Sequence, residues 1–261
     1  MLGQLQGYDG DPSLLGKVDQ MLLELTKIEH FKEHMQCLSI KSQFQEHADA
    51  LMNILNICLL AVEQMKNSKR FKIMLTVILK MGNFMNGGSR RGGAFGVKLD
   101  VLTKFETTKS KCGKFTLVHF LVQQLKTNEE DVLKLPDDLY ATDDASKYTL
   151  GQLQGDFAAL RKGMKTVLTE VEWAKKAEDA QPFVELMNPF AMNAKNTVDE
   201  AEQKLQLLKN SFEKLVTDFG ENAAKTGKNS FLKMYFVWFV FVIDINACYD
   251  YLLDFLFLFF N

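Results

Sequence analysis

His30 and His34 stand four residues apart, the spacing that puts two imidazoles on one helix face as a zinc pair needs. The segment reads His-Phe-Lys-Glu-His, with no glutamate beside the first histidine, so solvated or locally hydrogen-bonded imidazoles are expected rather than a metal centre. The glycine-rich stretch Gly87–Gly96 invites a phosphate-loop reading, but it lacks Gly-Lys-Ser/Thr and no strand pattern precedes it. Gly227-Lys228 is followed by Asn229, and Asn222 stands where such a loop needs glycine. The acid pairs Asp137/Asp138 and Asp143/Asp144 fall where helices begin, and the helix dipole favours carboxylates there. Cys37, Cys58, Cys112 and Cys248 lie far apart with no Cys-x-x-Cys, which reads as reduced intracellular thiols rather than a disulfide frame. No Cys–His or Ser–His pairing stands out. These residues point away from an enzyme and imply neither cofactor nor metal.

The informative stretch is Met81–Lys98, where an apolar helical pattern gives way to glycine, asparagine and arginine. Glycine takes positive φ freely and asparagine tolerates it, so special turns are expected here rather than a solvated tether. From Asn86 to about Phe115 there is little regular pattern beyond a short helical turn around Leu99–Phe105. Phe84, Phe95, Val97, Leu99 and Leu102 are interspersed in it, and such apolar content argues for order. Long irregular stretches in compact domains commonly carry function. Arg90, Arg91, Lys98, Lys104, Lys109, Lys111 and Lys114 stand in this region against Asp100 and Glu106, a cationic patch in a chain of net charge -2. Cations interleaved with apolar residues suit an acidic protein surface; the stacking aromatics of a nucleic-acid module are missing, so no nucleic-acid partner is expected. Two other readings stand beside this one. One is a solvated loop with no partner. The other is a helical scaffold whose basic loop binds acidic lipids, with an apolar tail as anchor.

Helices must position these residues. At 261 residues, 47% hydrophobic and 25% charged, the chain has ordinary globular composition and can bury a real core. Met1–Asp11 is polar and glycine-rich, unlike a signal peptide. Asp11-Pro12 reads as a cap with proline at the first helical position, followed by Leu14, Leu15, Val18, Met21, Leu22, Leu25 and Ile28 at helix spacing. A second helix is expected over about Gln45–Lys66. Ser68 can cap a third that turns Phe71, Met74, Leu75 and Ile78 inward, and Thr116 can cap a short one through Leu125. Leu150, Leu153, Phe157, Leu160, Met164, Val167 and Val171 make one heptad seam, within a helix expected from about Asp143 to Ala180. Val198, Ala201, Leu205, Leu208, Phe212, Leu215 and Phe219 make another, closed by Gly220. Pro182 and Pro189 are expected to punctuate the turn between them. The two helices can form a self-contained antiparallel hairpin, or share their seam with another part of the fold or another chain.

The tail, Phe231–Asn261, is loaded with Phe, Leu, Val and Tyr, but Lys233, Asp244, Asp250 and Asp254 interrupt it. Its longest uncharged run, Met234–Ile243, is far short of the roughly 20 residues a bilayer needs. A membrane span is not expected; a packing helix, or an altered end beginning near Lys228, fits better.

Gly82-Asn83-Phe84-Met85-Asn86, followed by Gly-Gly-Ser-Arg-Arg-Gly-Gly-Ala-Phe-Gly-Val-Lys-Leu, resembles the signature Gly-Asn-x-x-Asn region of the formin homology 2 domain. Tyr8-Asp9-Gly10-Asp11, Leu15-Gly16-Lys17 and Leu23–Ile28 resemble the start of a family helix. Thr107-Thr108-Lys109-Ser110 resembles the family's Asp-Thr-Lys-Ser, and Phe115–Leu121 its Thr-Leu-Leu-His-Tyr-Leu. Phe183–Met187 and Asp218–Glu221 fit too, so the resemblance spans about Tyr8–Thr226.

The resemblance implies an all-α fold, an elongated helical domain with long coiled-coil-like helices, and a cytoplasmic, cytoskeletal protein that assembles actin. In formins two such domains close head to tail, each lasso wrapping the partner's post, and the ring nucleates filaments and rides their barbed ends. Gly82, Asn83, Phe84, Asn86 and Gly87 would then line the post surface that receives the lasso of a second chain, glycine allowing close approach and asparagine amides satisfying partner groups. Lys109 falls on the family lysine that contacts actin, with Arg90, Arg91 and Lys98 as further candidates. The lasso, the linker, the first part of the knob with its functional isoleucine, and a proline-rich profilin-binding segment have no counterpart in the sequence. A partial formin homology 2 domain over residues 1–228, with impaired assembly activity, is therefore expected, followed by an apolar tail over 229–261.

Overall fold

The structure is a computed structural model that describes Tyr8 and residues 10–98, 100–111, 113 and 115–220. The expectations for the tail at 229–261, for Leu99 and for Lys114 lie outside these residues. The described fold is all-α, and its β-type pairing is a single isolated bridge between Lys109 and Thr116.

A 3₁₀ turn, Pro12–Leu14, precedes α1 (Lys17–Thr26). The expected single helix from Pro12 is thus split, with Gly16 at the cap of α1. None of α1 is fully buried, and Leu14 is 80% exposed. Next come α2 (Phe31–Asn67), α3 (Lys69–Met85), α4 (Asp100–Thr107) and α5 (Leu117–Asn128). A 3₁₀ turn at Glu130–Lys134 leads to two short helices, α6 (Leu135–Asp138) and α7 (Ala141–Ser146). Two long helices end the described chain: α8 (Leu150–Ala174) and, after a 3₁₀ turn at Glu178–Ala180, α9 (Gln181–Asp218).

Three expected boundaries move. The second helix starts at Phe31 rather than Gln45. The helix expected over Asp143–Ala180 is broken between Ser146 and Leu150 and stops at Ala174. Pro189 lies inside α9 rather than in a turn. Proline there removes the hydrogen bond to the carbonyl four residues earlier, at Glu185, but Glu185 and Pro189 both lie on the exposed face, where water can take the carbonyl.

The chain forms two compact units. The first comprises Tyr8 and residues 10–49 and 158–200. Cys37, Phe44 and Ala48 of α2 are buried there with Met164, Val167 and Val171 of α8 and Met187 and Ala191 of α9. The Phe44 and Phe190 rings meet edge to face at 5.4 Å, Lys41 Nζ donates to the Leu186 carbonyl at 3.1 Å, and Gly163 leaves room for Ile40. The α8 seam is therefore shared with α2, and the self-contained hairpin is not what forms.

The second unit comprises the described residues within 50–157 and 201–220. Leu55, Cys58 and Met65 of α2, Phe71, Met74 and Ile78 of α3, Val118 and Leu125 of α5, Leu153 of α8 and Leu208 of α9 are buried in it. Buried area of this kind contributes about 25 cal/mol per Å² removed from water. By length and composition α2 could cross a bilayer, but the stripe through Leu51, Leu55, Cys58 and Val62 is spent on this core. Burial pushes the Cys37 thiol up to about 11 and the Cys58 thiol up to about 12, so both stay as protonated core groups.

Candidate partner-docking site

Helix α3 carries the site, and its start is heavily anchored. Ser68 accepts a hydrogen bond from the Phe71 amide at 3.1 Å, the expected N-cap, and donates to Asp138 Oδ2 at 2.7 Å. Arg70 bonds Asp131 at 2.9 Å and also Asp138, which holds the Asp131 carboxyl below the usual carboxylate range. These ties fix α3 to α6 and to the 3₁₀ turn before it, while α3 also packs on α5.

The far end of α3 runs out through Gly82, Asn83, Phe84 and Met85, with Asn86 as its cap. The Asn86 amide donates to the Gly82 carbonyl at 3.0 Å, and its side chain donates to the same oxygen at 2.8 Å. Asn83 reaches eleven residues ahead. Its Nδ2 donates to the Ala94 carbonyl at 2.9 Å, and its Oδ1 accepts from the Ala94 amide at 2.7 Å. One side chain thus pairs with backbone as a neighbouring strand would, closing the intervening loop. Within the loop Gly88 (φ 79°) and Gly93 (φ 71°) take the left-handed turns, as their residue type suggests. Gly92 is required for space: a Cβ there would lie 2.8 Å from the Asn86 carbonyl. Gly82 differs, since a Cβ there would meet nothing within 4 Å. Both asparagine amides are therefore engaged inside the chain, whereas nothing inside it requires glycine at 82.

The clamp leaves two phenyl rings in solvent. Phe84 follows Asn83 and is 89% exposed; Phe95 follows Ala94 and is fully exposed. Arg90, Arg91 and Lys98 are exposed on the same loop and form no ion pair among the described residues. Beside the loop, a cleft of about 420 Å³ is lined by Leu75, Leu79, Val97, Lys98, Asp218 and Phe219. No local pattern signals this cleft, because it joins the end of α9 to a face of α3 more than a hundred residues away.

Lys109 sits on a short ribbon between α4 and α5. Ser110 donates its amide to the Phe115 carbonyl at 2.8 Å, Leu117 donates to the Thr108 carbonyl at 2.9 Å, and Gly113 (φ 72°) helps turn the ribbon. The ribbon is pinned at the start of α5, where the Thr116 amide donates to His119 Nδ1 at 3.2 Å. Lys109 is exposed and has no ion pair among the described residues. The structure thus brings the glycine loop and the Lys109 ribbon into one unit, at ends of α3 and α5, which pack on each other.

His30 and His34, the other pair singled out by spacing, lie in the first unit. There His30 bonds Glu170, a buried carboxylate that spacing did not reveal. Among the described residues no group of three or more His, Cys, Asp or Glu side chains is arranged to hold a metal.

The family model described as Formin Homology 2 Domain matches residues 2–237. Disheveled-associated activator of morphogenesis 2 of Homo sapiens is 32% identical over 234 residues, 88% of this chain and 22% of that protein. Formin-like protein 13 of Arabidopsis thaliana is 31% identical over 222 residues, 85% of this chain and 18% of that protein. Formin-F of Dictyostelium discoideum is 27% identical over 240 residues, covering 92% and 19%. The chain spans about a fifth of the length of the curated relatives it matches.

Proposed function

The chain belongs to the formin homology 2 domain family, and we propose that it is an actin-assembly module, non-catalytic and without cofactor. Its Lys109, with Arg90, Arg91 and Lys98, contacts actin. Its Gly82, Asn83, Phe84, Asn86 and Gly87 receive the lasso of a second formin homology 2 chain. Its place is the cytoplasm, on the actin cytoskeleton.

The observation that carries this reading is the set of exposed cations without ion pairs on two braced segments of one unit. A lysine already paired inside the chain gains little from a partner carboxylate. An exposed one can form a charge-assisted hydrogen bond with an acidic surface such as actin's. The Lys109 backbone is held by the ribbon, so little order must be imposed on it at binding. The exposed Phe84 and Phe95 add apolar area of the kind that interfaces bury.

The test is co-sedimentation with filamentous actin, comparing the unmodified chain with Lys109→Ala. Clear loss of binding is expected in the variant. Equal binding would remove Lys109 from the site, and no binding by either chain would remove the actin reading of this unit.

A further inference from the structure

A cluster of polar and aromatic groups lies in the first unit, at the bend between α1 and α2. Glu170 of α8 is 6% exposed, and among the described residues no lysine or arginine pairs with it. Its Oε1 lies 2.9 Å from His30 Nδ1. His34 Nε2 is 3.3 Å from the same oxygen but out of line for a hydrogen bond, so this buried nitrogen has none among the described residues. The His30 ring stacks on Trp173 at 3.6 Å with planes 3° apart, and the His34 ring stacks on Phe183 at 3.8 Å. His30 also has a φ of 55°, the one left-handed non-glycine residue among those described. Such a conformation is unfavourable for a residue with a Cβ and persists where surrounding contacts enforce it. Here the His30 carbonyl accepts from the His34 amide at 2.9 Å, and the ring is held by Glu170 and Trp173.

The charges around the cluster are one-sided. Glu33 on α2 and Glu170 on α8 are the carboxylates that act on His34. Glu172, one residue before Trp173, is tied to Lys175 at 2.6 Å, and α9 presents the uncharged Phe183. Burial holds His34 below its ordinary value, with His30 adding to the effect when charged. Of the two imidazoles beside Glu170, that of His30 is the one solvent reaches, with its side chain 38% exposed against 13% for His34.

We propose that His30, Glu170 and Trp173 form a proton-operated lock at the α1–α2 bend. With a proton taken from solvent, His30 is an imidazolium held between a buried carboxylate and an indole face, and both contacts strengthen. Without it, Glu170 is a buried anion with a neutral hydrogen bond alone, and the left-handed backbone loses part of what enforces it. Acidification through the neutral range thus tightens the bend, and alkaline conditions loosen it.

Trp173 reports the lock directly, because a stacked imidazolium quenches indole emission more strongly than neutral imidazole. The chain has two tryptophans, so Trp238→Phe leaves Trp173 as the sole emitter. Emission of this chain is expected to fall as pH is lowered from about 8 to about 5. Adding His30→Asn abolishes the transition while keeping a residue type that tolerates positive φ. Adding Glu170→Gln removes the buried charge and diminishes the change over that range. Far-ultraviolet circular dichroism verifies the helix content of each variant. Amide exchange at residues 27–31 of the otherwise unmodified chain, corrected for intrinsic rates, is expected to be slower at the acid end. An emission independent of pH, a transition that survives His30→Asn, an undiminished change in Glu170→Gln or equal exchange at both pH values would overturn the proposal.

Discussion

Replacing Asn83 by alanine tests whether one amide sets the shape of the glycine loop. Asn83 makes two hydrogen bonds to Ala94, at 2.9 and 2.7 Å, across a segment containing Gly87, Gly88, Gly92 and Gly93. A net hydrogen bond contributes about 0.5–1.5 kcal/mol, and these two are open to solvent, so the pair contributes about 1–2 kcal/mol to loop closure. That corresponds to a roughly 5- to 30-fold rise in the population of the opened loop. Glycine has the most conformational freedom to regain on opening, which pushes the effect to the upper part of that range. The assay is amide exchange at Ala94, whose N–H is bonded to Asn83 Oδ1. Exchange should speed up by that factor in Asn83→Ala, while Ile78 and Met81, buried upstream in α3, keep their protection. Asn83→Asp retains the acceptor but loses the donor, so it should fall between. Unchanged exchange at Ala94 in the alanine variant would refute the clamp, and a matching loss at Ile78 would show that the residue supports the whole helix instead.

Gly82→Ala should leave thermal stability unchanged or raise it by about 0.5–1 kcal/mol in unfolding measurements, because its Cβ meets nothing and alanine is the better helix former. The same variant should weaken binding of a lasso peptide in calorimetry if a partner's backbone uses that bare position. Gly92→Ala should destabilise the loop and speed Ala94 exchange, because its Cβ would lie 2.8 Å from the Asn86 carbonyl. Alkylation with iodoacetamide at about pH 8, read by peptide mass mapping, should leave Cys58 unmodified in the native chain, since burial pushes that thiol up to about 12 and the thiolate is the reactive form. Leu55→Ala should cost about 2–5 kcal/mol in denaturant unfolding, as expected for truncating a side chain with no exposed surface.

Much of the fold was legible where burial follows a regular period. All seven seam positions from Leu150 to Val171 are buried, and Ser68, Thr116 and Gly220 punctuate helices as their residue types suggest. The start of α2 was not legible. Between Phe31 and Gln45 the buried side chains are Cys37 and Phe44, with Phe31, His34, Leu38, Ile40 and Lys41 half-buried, a face of mixed polarity whose period is hard to read. Pro189 misled for a related reason: proline breaks a helix most surely where the orphaned carbonyl cannot reach water, and exposure cannot be read from the residue alone. The apolar face of α1 was legible as a pattern, yet Leu14, Val18 and Met21 stay exposed, because amphipathic spacing records a capacity for burial rather than its occurrence.

In the glycine-rich stretch the residue types signalled turns but not which side chains brace them. Glycine-rich composition marked positive-φ turns, and Gly88 and Gly93 take them. An asparagine amide, however, can pair with any backbone group it reaches, and no local pattern says that Asn83 finds Ala94 eleven residues on. Once that bond is made, the Asn83 amide is fixed in orientation with one N–H and one lone pair still to offer, and Asn86 is likewise held by its bond to Gly82. What stays open among the described residues is the bare Cα face of Gly82, the rings of Phe84 and Phe95, and the cations without an ion pair there. Recognition at this site should therefore rest on close backbone approach, apolar burial and charge, with the asparagines acting one step back as the braces that hold those groups in place.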